Sequence, residues 1–118
     1  MRRTVLILGG SSDIGYQVML DFLNNGWIVI SHFYKNDKQL KKIKKRFAGN
    51  LILIKSNFEK KKSLSAFIKK INKYQISSFI NLIGYIDNIS FEKANLDNMI
   101  KCIQINTLIP ILIQNHLS

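Results

Sequence analysis

Two rhythms of apolar residues alternate along the chain. Short unbroken apolar runs occur at residues 4–8 (TVLIL), 27–31 (WIVIS), 51–54 (LILI) and 79–83 (FINLI). Runs of this length, without the polar alternation of a half-exposed strand, predict strands covered on both faces. Between them the apolar spacing widens to three and four. Ile14, Val18, Leu20, Phe22 and Leu23 supply one helical face over 14–23, and Leu40, Ile43 and Phe47 another over 36–47. Leu64, Phe67, Ile68 and Ile71 supply a third over 63–74, and residues 96–117 predict one long final helix. Such offsets form a stripe on a 3.6-residue period. The punctuation agrees: Asn24-Asn25-Gly26 stops the first helix, with Gly26 suited to a left-handed cap, and Gly49-Asn50 stops the second.

The order is βαβαβαβα. Strands separated by amphipathic helices of roughly 10–15 residues predict a parallel sheet with helices on both faces. Right-handed crossovers and a glycine-rich first turn lead to a Rossmann-like, doubly wound α/β fold with strand order 3-2-1-4. No linker or solenoid repeat interrupts the pattern, so residues 1–118 read as one domain.

Composition alters this picture little. The 118 residues can bury roughly two thirds of the surface an unfolded chain exposes. The lone Cys102 excludes an internal disulfide and suits a reducing compartment. Met1-Arg2-Arg3 resembles the basic start of a signal peptide, but the apolar run after it is too short. No apolar run approaches the ~18 residues that span a bilayer; residues 105–113 come nearest, broken by Asn106, Thr107 and Pro110. The expectation is a cytoplasmic protein that does not engage a membrane. A net charge of +11 raises nucleic acid as a partner. Most of the lysines, however, lie between residues 35 and 73 on predicted outward helix faces, with no nucleic-acid motif and no zinc-ligand cluster. A solvated basic surface is the expectation and a functional basic patch the alternative.

The chemistry concentrates where the first strand meets the first helix. In a doubly wound sheet that turn lies at the switch point where ligands bind. Glycine there admits a positive φ and a close approach of phosphate to the backbone, and the following helix offers unpaired N–H groups to an anion. Ser11 and Ser12 add hydroxyl donors. Gly10 and Gly15 fit the first half of a P-loop, but Tyr16-Gln17 replaces its Lys-Ser/Thr, which argues against nucleoside triphosphate chemistry. The spacing that fits is T-G-x-x-x-G-x-G, read as Leu8-Gly9-Gly10-Ser11-Ser12-Asp13-Ile14-Gly15. It resembles the cofactor fingerprint of the short-chain dehydrogenase/reductase family, with Leu8 for threonine and Asp13 for the middle glycine. Asp13 tolerates left-handed conformations and suits the N-cap of a helix starting at Ile14. Taken alone, the turn also fits a purely structural connection.

Three further segments carry the resemblance. Asn81-Leu82-Ile83-Gly84 stands where the family has N-N-A-G, beside the adenosine side of the cofactor. Asn57-Phe58 stands where the family has Asp and an apolar residue framing the adenine; Asn57 is equally a turn residue. Gln104-Ile105-Asn106-Thr107-Leu108 resembles the family's V-N-L-x-G helix segment. Pro110 has no N–H, so the carbonyl of Asn106 loses its ordinary helical partner; the resemblance assigns that asparagine to a proton relay, and a plain proline kink is the alternative. At the end of strand two, His32-Phe33-Tyr34-Lys35 lacks the acid that takes the ribose 2′-OH of NAD. Phe33, Tyr34 and Lys35 thus imply NADP(H) in preference to NAD(H).

What the resemblance implies is an NAD(P)-dependent oxidoreductase similar to 3-oxoacyl-carrier-protein reductases. Only its cofactor-binding half is expected here. The family's catalytic serine and Tyr-x-x-x-Lys come later; Tyr34 and Lys38 have the spacing but at the adenosine end, and Tyr16, Tyr74 and Tyr85 do not fit. The expectation is therefore a truncated enzyme, inactive alone. Ile103, Ile105, Leu108, Ile109, Ile111, Leu112 and Ile113 leave the last helix apolar all round, so helix 96–117 should meet the missing half or a second copy. The alternatives are a small dinucleotide sensor without catalysis and, further off, a basic nucleic-acid-binding protein. A methyltransferase is disfavoured by the acid-free second strand.

Overall fold

Four parallel strands form the centre of the molecule: β1 (Thr4–Leu8), β2 (Ile28–Phe33), β3 (Leu51–Lys55) and β4 (Ser78–Asn81). A computed structural model describes residues 2–35, 38–84 and 95–117; residues 36–37 of the expected second helix, and Tyr85, lie outside the described residues. The sheet order is β3-β2-β1-β4, as the pattern predicts. Val5 stands opposite Val29 and Ser78, and Leu6 opposite Ile30 and Phe79, all in parallel register. Helices α1 (Asp13–Asn24), α2 (Lys38–Arg46) and α3 (Lys61–Ile71) connect the strands. After β4 come α4 (Leu96–Ile103), a π-helical turn (Gln104–Leu108) and α5 (Ile109–Leu117).

The unbroken apolar runs are explained by two cores. Val5 and Ile7 point to one face of the sheet, where Met19 and Leu23 of α1 and Leu40 and Ile43 of α2 cover them. Leu6 and Leu8 point to the other, under Phe67 and Ile71 of α3 and Ile109 and Ile113 of α5. All five residues of β1 are buried. Each fully buried aliphatic side chain contributes about 1.5–3 kcal/mol, so the central strand is anchored from both sides. The lysines of α2 and α3 consequently lie in opposite layers of the molecule.

Several boundaries differ from the sequence reading. Strand two extends to Phe33, and strand four stops at Asn81 instead of Ile83. Helix α1 begins at Asp13, not Ile14, and its N-cap is Ser12, whose Oγ accepts from the Gly15 N–H at 3.0 Å. Asp13 is the first helical residue, and among the described residues only glycines have positive φ. An acid in the first turn still favours the helix through the dipole. The buried stripe of α1 is Gly15, Met19 and Leu23, while Ile14 is 67% exposed. The reason is steric: a Cβ on residue 15 would stand 2.6 Å from the Gly9 carbonyl oxygen, so only a glycine can face the turn. That rotates its neighbour Ile14 outward. Gly26, at φ +79°, takes the left-handed cap position as expected.

The final helix is continuous over Leu96–Leu117, 22 residues, but not regular. The Ile109 N–H donates to the Gln104 carbonyl, five residues back. Such a π-turn inserts one residue and offsets the faces of the two halves. Helix α4 buries nothing, whereas α5 buries Ile109, Pro110 and Ile113. Leu96, Met99, Ile100, Ile103, Leu108, Ile111 and Leu112 stay exposed. The expectation that no segment reaches bilayer-spanning length is corrected here, because this helix suffices by length and composition. A polar break in the sequence does not interrupt the backbone. Ile109 and Ile113 nevertheless belong to the sheet core, which identifies α5 as a core helix with an uncovered outer side.

Candidate functional site

The C-terminal ends of the parallel strands line one edge of the sheet, whose order reverses between β1 and β4. Two adjoining clefts of about 340 and 290 Å³ run across them. Gly9, Ser11, Ser12, Phe33 and Leu82 line the first, and Ser56, Asn57, Phe58 and Glu59 the second. His32, Tyr34, Lys35, Ile83 and Gly84 line both, joining them into one groove.

A Cβ at each of Gly9, Gly10 and Gly15 would meet a different neighbour. Gly9 has φ +79°, and a Cβ there would stand 2.9 Å from the carbonyl carbon and oxygen of Leu82. A Cβ on Gly10 would overlap Ser31 Oγ at 1.9 Å, and one on Gly15 would strike the Gly9 carbonyl. The turn is therefore pressed against β4, β2 and α1 at once. Its hydrogen bonds are partly consumed internally. Gly9 N–H donates to His32 Nδ1 at 3.3 Å and Gly10 N–H to the His32 carbonyl at 3.0 Å. The Ser12 hydroxyl donates to the Gly9 carbonyl at 3.1 Å while accepting from Gly15 N–H. In this structure the Ser12 hydroxyl is thus used within the turn and helix start. What the turn leaves for a ligand is the start of α1, where the Asp13 and Ile14 amides have no intrahelical acceptor and sit at the positive end of the helix dipole. The glycines let the turn pack against its neighbours, and the unpaired amides that follow fit a pyrophosphate.

The end of β2 is free of acid. Phe33 is buried in the α1/α2 core, while Tyr34 and Lys35 are exposed, with Lys35 Nζ 5.5 Å from the Tyr34 ring centroid. Beyond β3, Asn57 fulfils its turn role: Oδ1 accepts from Glu59 N–H at 3.1 Å, and its own N–H donates to Ser63 Oγ at 2.9 Å. Its Nδ2 also donates to the Tyr34 hydroxyl at 3.3 Å, so the two strand ends are tied across the groove. Phe58 is mostly core, stacked on His32 at 4.0 Å and edge-on to Phe67 at 5.0 Å. Asn81 is exposed, its Oδ1 accepting from Ile83 N–H at 3.1 Å. It shapes the turn after β4, and Leu82 and Gly84 form the groove wall. Asn106 is exposed in the π-turn, next to Ile105, which lines the second cleft.

Three contributors escaped sequence reasoning. Glu59 and Lys101 form an ion pair of 2.9 Å at the second cleft, joining α4 to the loop after β3. Nothing in the sequence connects residues so far apart. The third, His32, had a readable signal: a polar ring inside an apolar strand. It is 5% exposed, and burial lowers its pKa from 6.5 to about 4, partly offset by the hydrogen bond to Ser56. It is neutral at physiological pH.

A parallel sheet of order 3-2-1-4 with a glycine turn at its switch point defines a Rossmann-like α/β protein. The chain belongs to the short chain dehydrogenase family, whose sequence pattern it matches over residues 3–117. No curated protein matches it in sequence. Among solved structures it is similar to an NADPH-bound carbonyl reductase from chicken fatty liver, with TM-score 0.84 and 19% identity, covering 98% of this chain and 47% of that one. It is also similar to a short-chain dehydrogenase from Sphingobium yanoikuyae in complex with NADPH, with TM-score 0.85 and 18% identity over 98% and 47%. A bulky-bulky ketone specific alcohol dehydrogenase from Comamonas testosteroni matches with TM-score 0.84 and 19% identity over 98% and 47%. At these identities the likeness is one of fold. The chain spans about half the length of these structures.

Proposed function

We propose that this chain is the cofactor-holding part of a short-chain dehydrogenase/reductase-type oxidoreductase and binds NADP(H) in preference to NAD(H). The observation that carries the reading is the glycine turn at the switch point, which leads into α1 with the Asp13 and Ile14 amides unpaired. The pyrophosphate belongs at those amides, with Ser11 beside them. The adenosine belongs in the second cleft, between Tyr34, Asn57, the margin of Phe58 and the Ile83–Gly84 backbone. Lys35, with no carboxylate at the end of β2, suits a 2′-phosphate and offers the 2′-OH of NAD no acceptor.

When bound, the cofactor supplies or accepts the hydride. The residues of this chain hold and orient it. Asn106, on the π-turn beside the second cleft, is the proposed member of the proton relay. Reducing a carbonyl further needs a proton donor of tuned pKa and a group that orients the carbonyl. The resemblance assigns these to a serine and a Tyr-x-x-x-Lys that are not found at the corresponding place among these 118 residues. By itself the chain is thus proposed to bind dinucleotide without turning over ketones or 3-oxoacyl thioesters. Two relatives are named for carbonyl and ketone chemistry, which supports that substrate class for the complete reaction. Titration by NADPH and NADH fluorescence tests the reading. Tighter binding of NADPH is expected, with the preference reduced in Lys35→Glu. Equal or tighter NADH binding would sink the NADP assignment.

A further inference from the structure

Building on the dinucleotide reading of the groove, we propose that His32 is a positioning residue that fixes the glycine turn to the loop after β3 through its two ring nitrogens. Gly9 N–H can only donate, so Nδ1, at 3.3 Å, must be the unprotonated nitrogen. The proton then sits on Nε2, which donates to the Ser56 carbonyl at 2.9 Å. The backbone of the same residue accepts from Gly10 N–H at 3.0 Å. One residue therefore binds both leading amides of the turn and, 24 positions later in sequence, the end of β3.

The ring cannot swing out of this bridge. It is stacked on Phe58 at 4.0 Å and 12°, and Phe67 meets it edge-on at 5.6 Å and 84°. His32 lines both clefts, so it stands between the pyrophosphate part of the groove and the adenosine part. Holding Gly9 to Ser56 sets where α1 presents its Asp13 and Ile14 amides relative to the loop after β3, where Asn57 is fixed separately by Ser63 and Glu59 and Phe58 by the ring stack. The bridge thus fixes the distance between the two halves of one ligand. A ligand that occupies only one half does not depend on that distance.

The test compares NADPH, which spans both halves, with adenosine 2′-monophosphate, which lacks the pyrophosphate. His32→Phe keeps the ring stack and removes both hydrogen bonds. It should weaken NADPH binding about tenfold or more, the scale of one or two lost hydrogen bonds, while adenosine 2′-monophosphate stays within about twofold. His32→Gln, which retains an acceptor and a donor, should recover most of the loss. In the unsubstituted chain, ring-nitrogen NMR should show the proton on Nε2. Unchanged NADPH affinity in His32→Phe, or parallel loss of both ligands, overturns the positioning role. A proton on Nδ1 overturns the bridge itself, whatever binds. Failure of the unsubstituted chain to bind NADPH instead overturns the dinucleotide reading, and the NMR result then judges the bridge separately.

Discussion

Replacing Gly15 with alanine sets two effects of opposite sign against each other. Gly15 is the third residue of α1, and by helix propensity alone alanine should stabilise the helix by up to about 1 kcal/mol. The tertiary setting opposes this. The new Cβ would lie 2.6 Å from the Gly9 carbonyl oxygen, 2.8 Å from Gly10 Cα and 3.0 Å from the Gly10 carbonyl carbon. All three are backbone atoms of a turn already pressed against Leu82 and Ser31, so no rotamer change relieves the contact. Overpacking of this kind costs typically 1–3 kcal/mol, occasionally more, and a contact with immovable backbone belongs at the upper end. A net destabilisation of about 1–2 kcal/mol is expected. Urea unfolding followed by the single tryptophan, Trp27, measures it. Two controls separate the causes. Gly26→Ala meets no atom within 4 Å but sits at φ +79°, so backbone strain alone should cost about 1 kcal/mol. Gly49→Ala has open space and no positive φ, and should be neutral or slightly stabilising. A Gly15→Ala chain as stable as the parent, or more so, would refute the close approach of helix to turn.

Other outcomes follow from the same structure. The folded-state pKa of His32, about 4 against 6.5, means the unfolded chain binds more protons between those values. Stability present above about pH 6.5 should therefore fall towards pH 4, by up to about 3 kcal/mol. Urea melts across that window should show a shallower decline for His32→Phe, and identical slopes would count against the buried neutral ring. Ser12→Ala removes both the cap on Gly15 N–H and the bond to the Gly9 carbonyl. It should cost about 1 kcal/mol or more, with Ser12→Asp recovering the cap. The exposed row from Leu96 to Leu112 should make the chain self-associate in sedimentation velocity, and Ile103→Lys with Leu112→Lys should reduce it. A stable monomer at high concentration would refute that expectation and favour a free-standing dinucleotide sensor.

The sequence by itself determined the alternation of strands and helices, the strand order and the glycine turn into the first helix. These properties are local or nearly so. An unbroken run such as TVLIL reports a strand with two covered faces, and Gly9 to Gly15 reports a tight turn into a helix wherever it occurs. Family-wide rules of handedness then leave few ways to arrange four such units. Tertiary structure decided which atoms of those units meet. Whether Ser12 or Asp13 caps α1, and whether Ile14 or Met19 faces the core, depended on Gly15 lying against the Gly9 carbonyl, which no periodicity encodes. The pairing of Ile7 with Ser31 and His32 with Ile54 brought the His32 ring between Gly9 and Ser56, which are far apart along the chain. The ion pair of Glu59 with Lys101 likewise arose from where the last helix lies relative to the loop after β3. Periodicity records which side of an element is buried; only the register between elements settles which donor finds which acceptor.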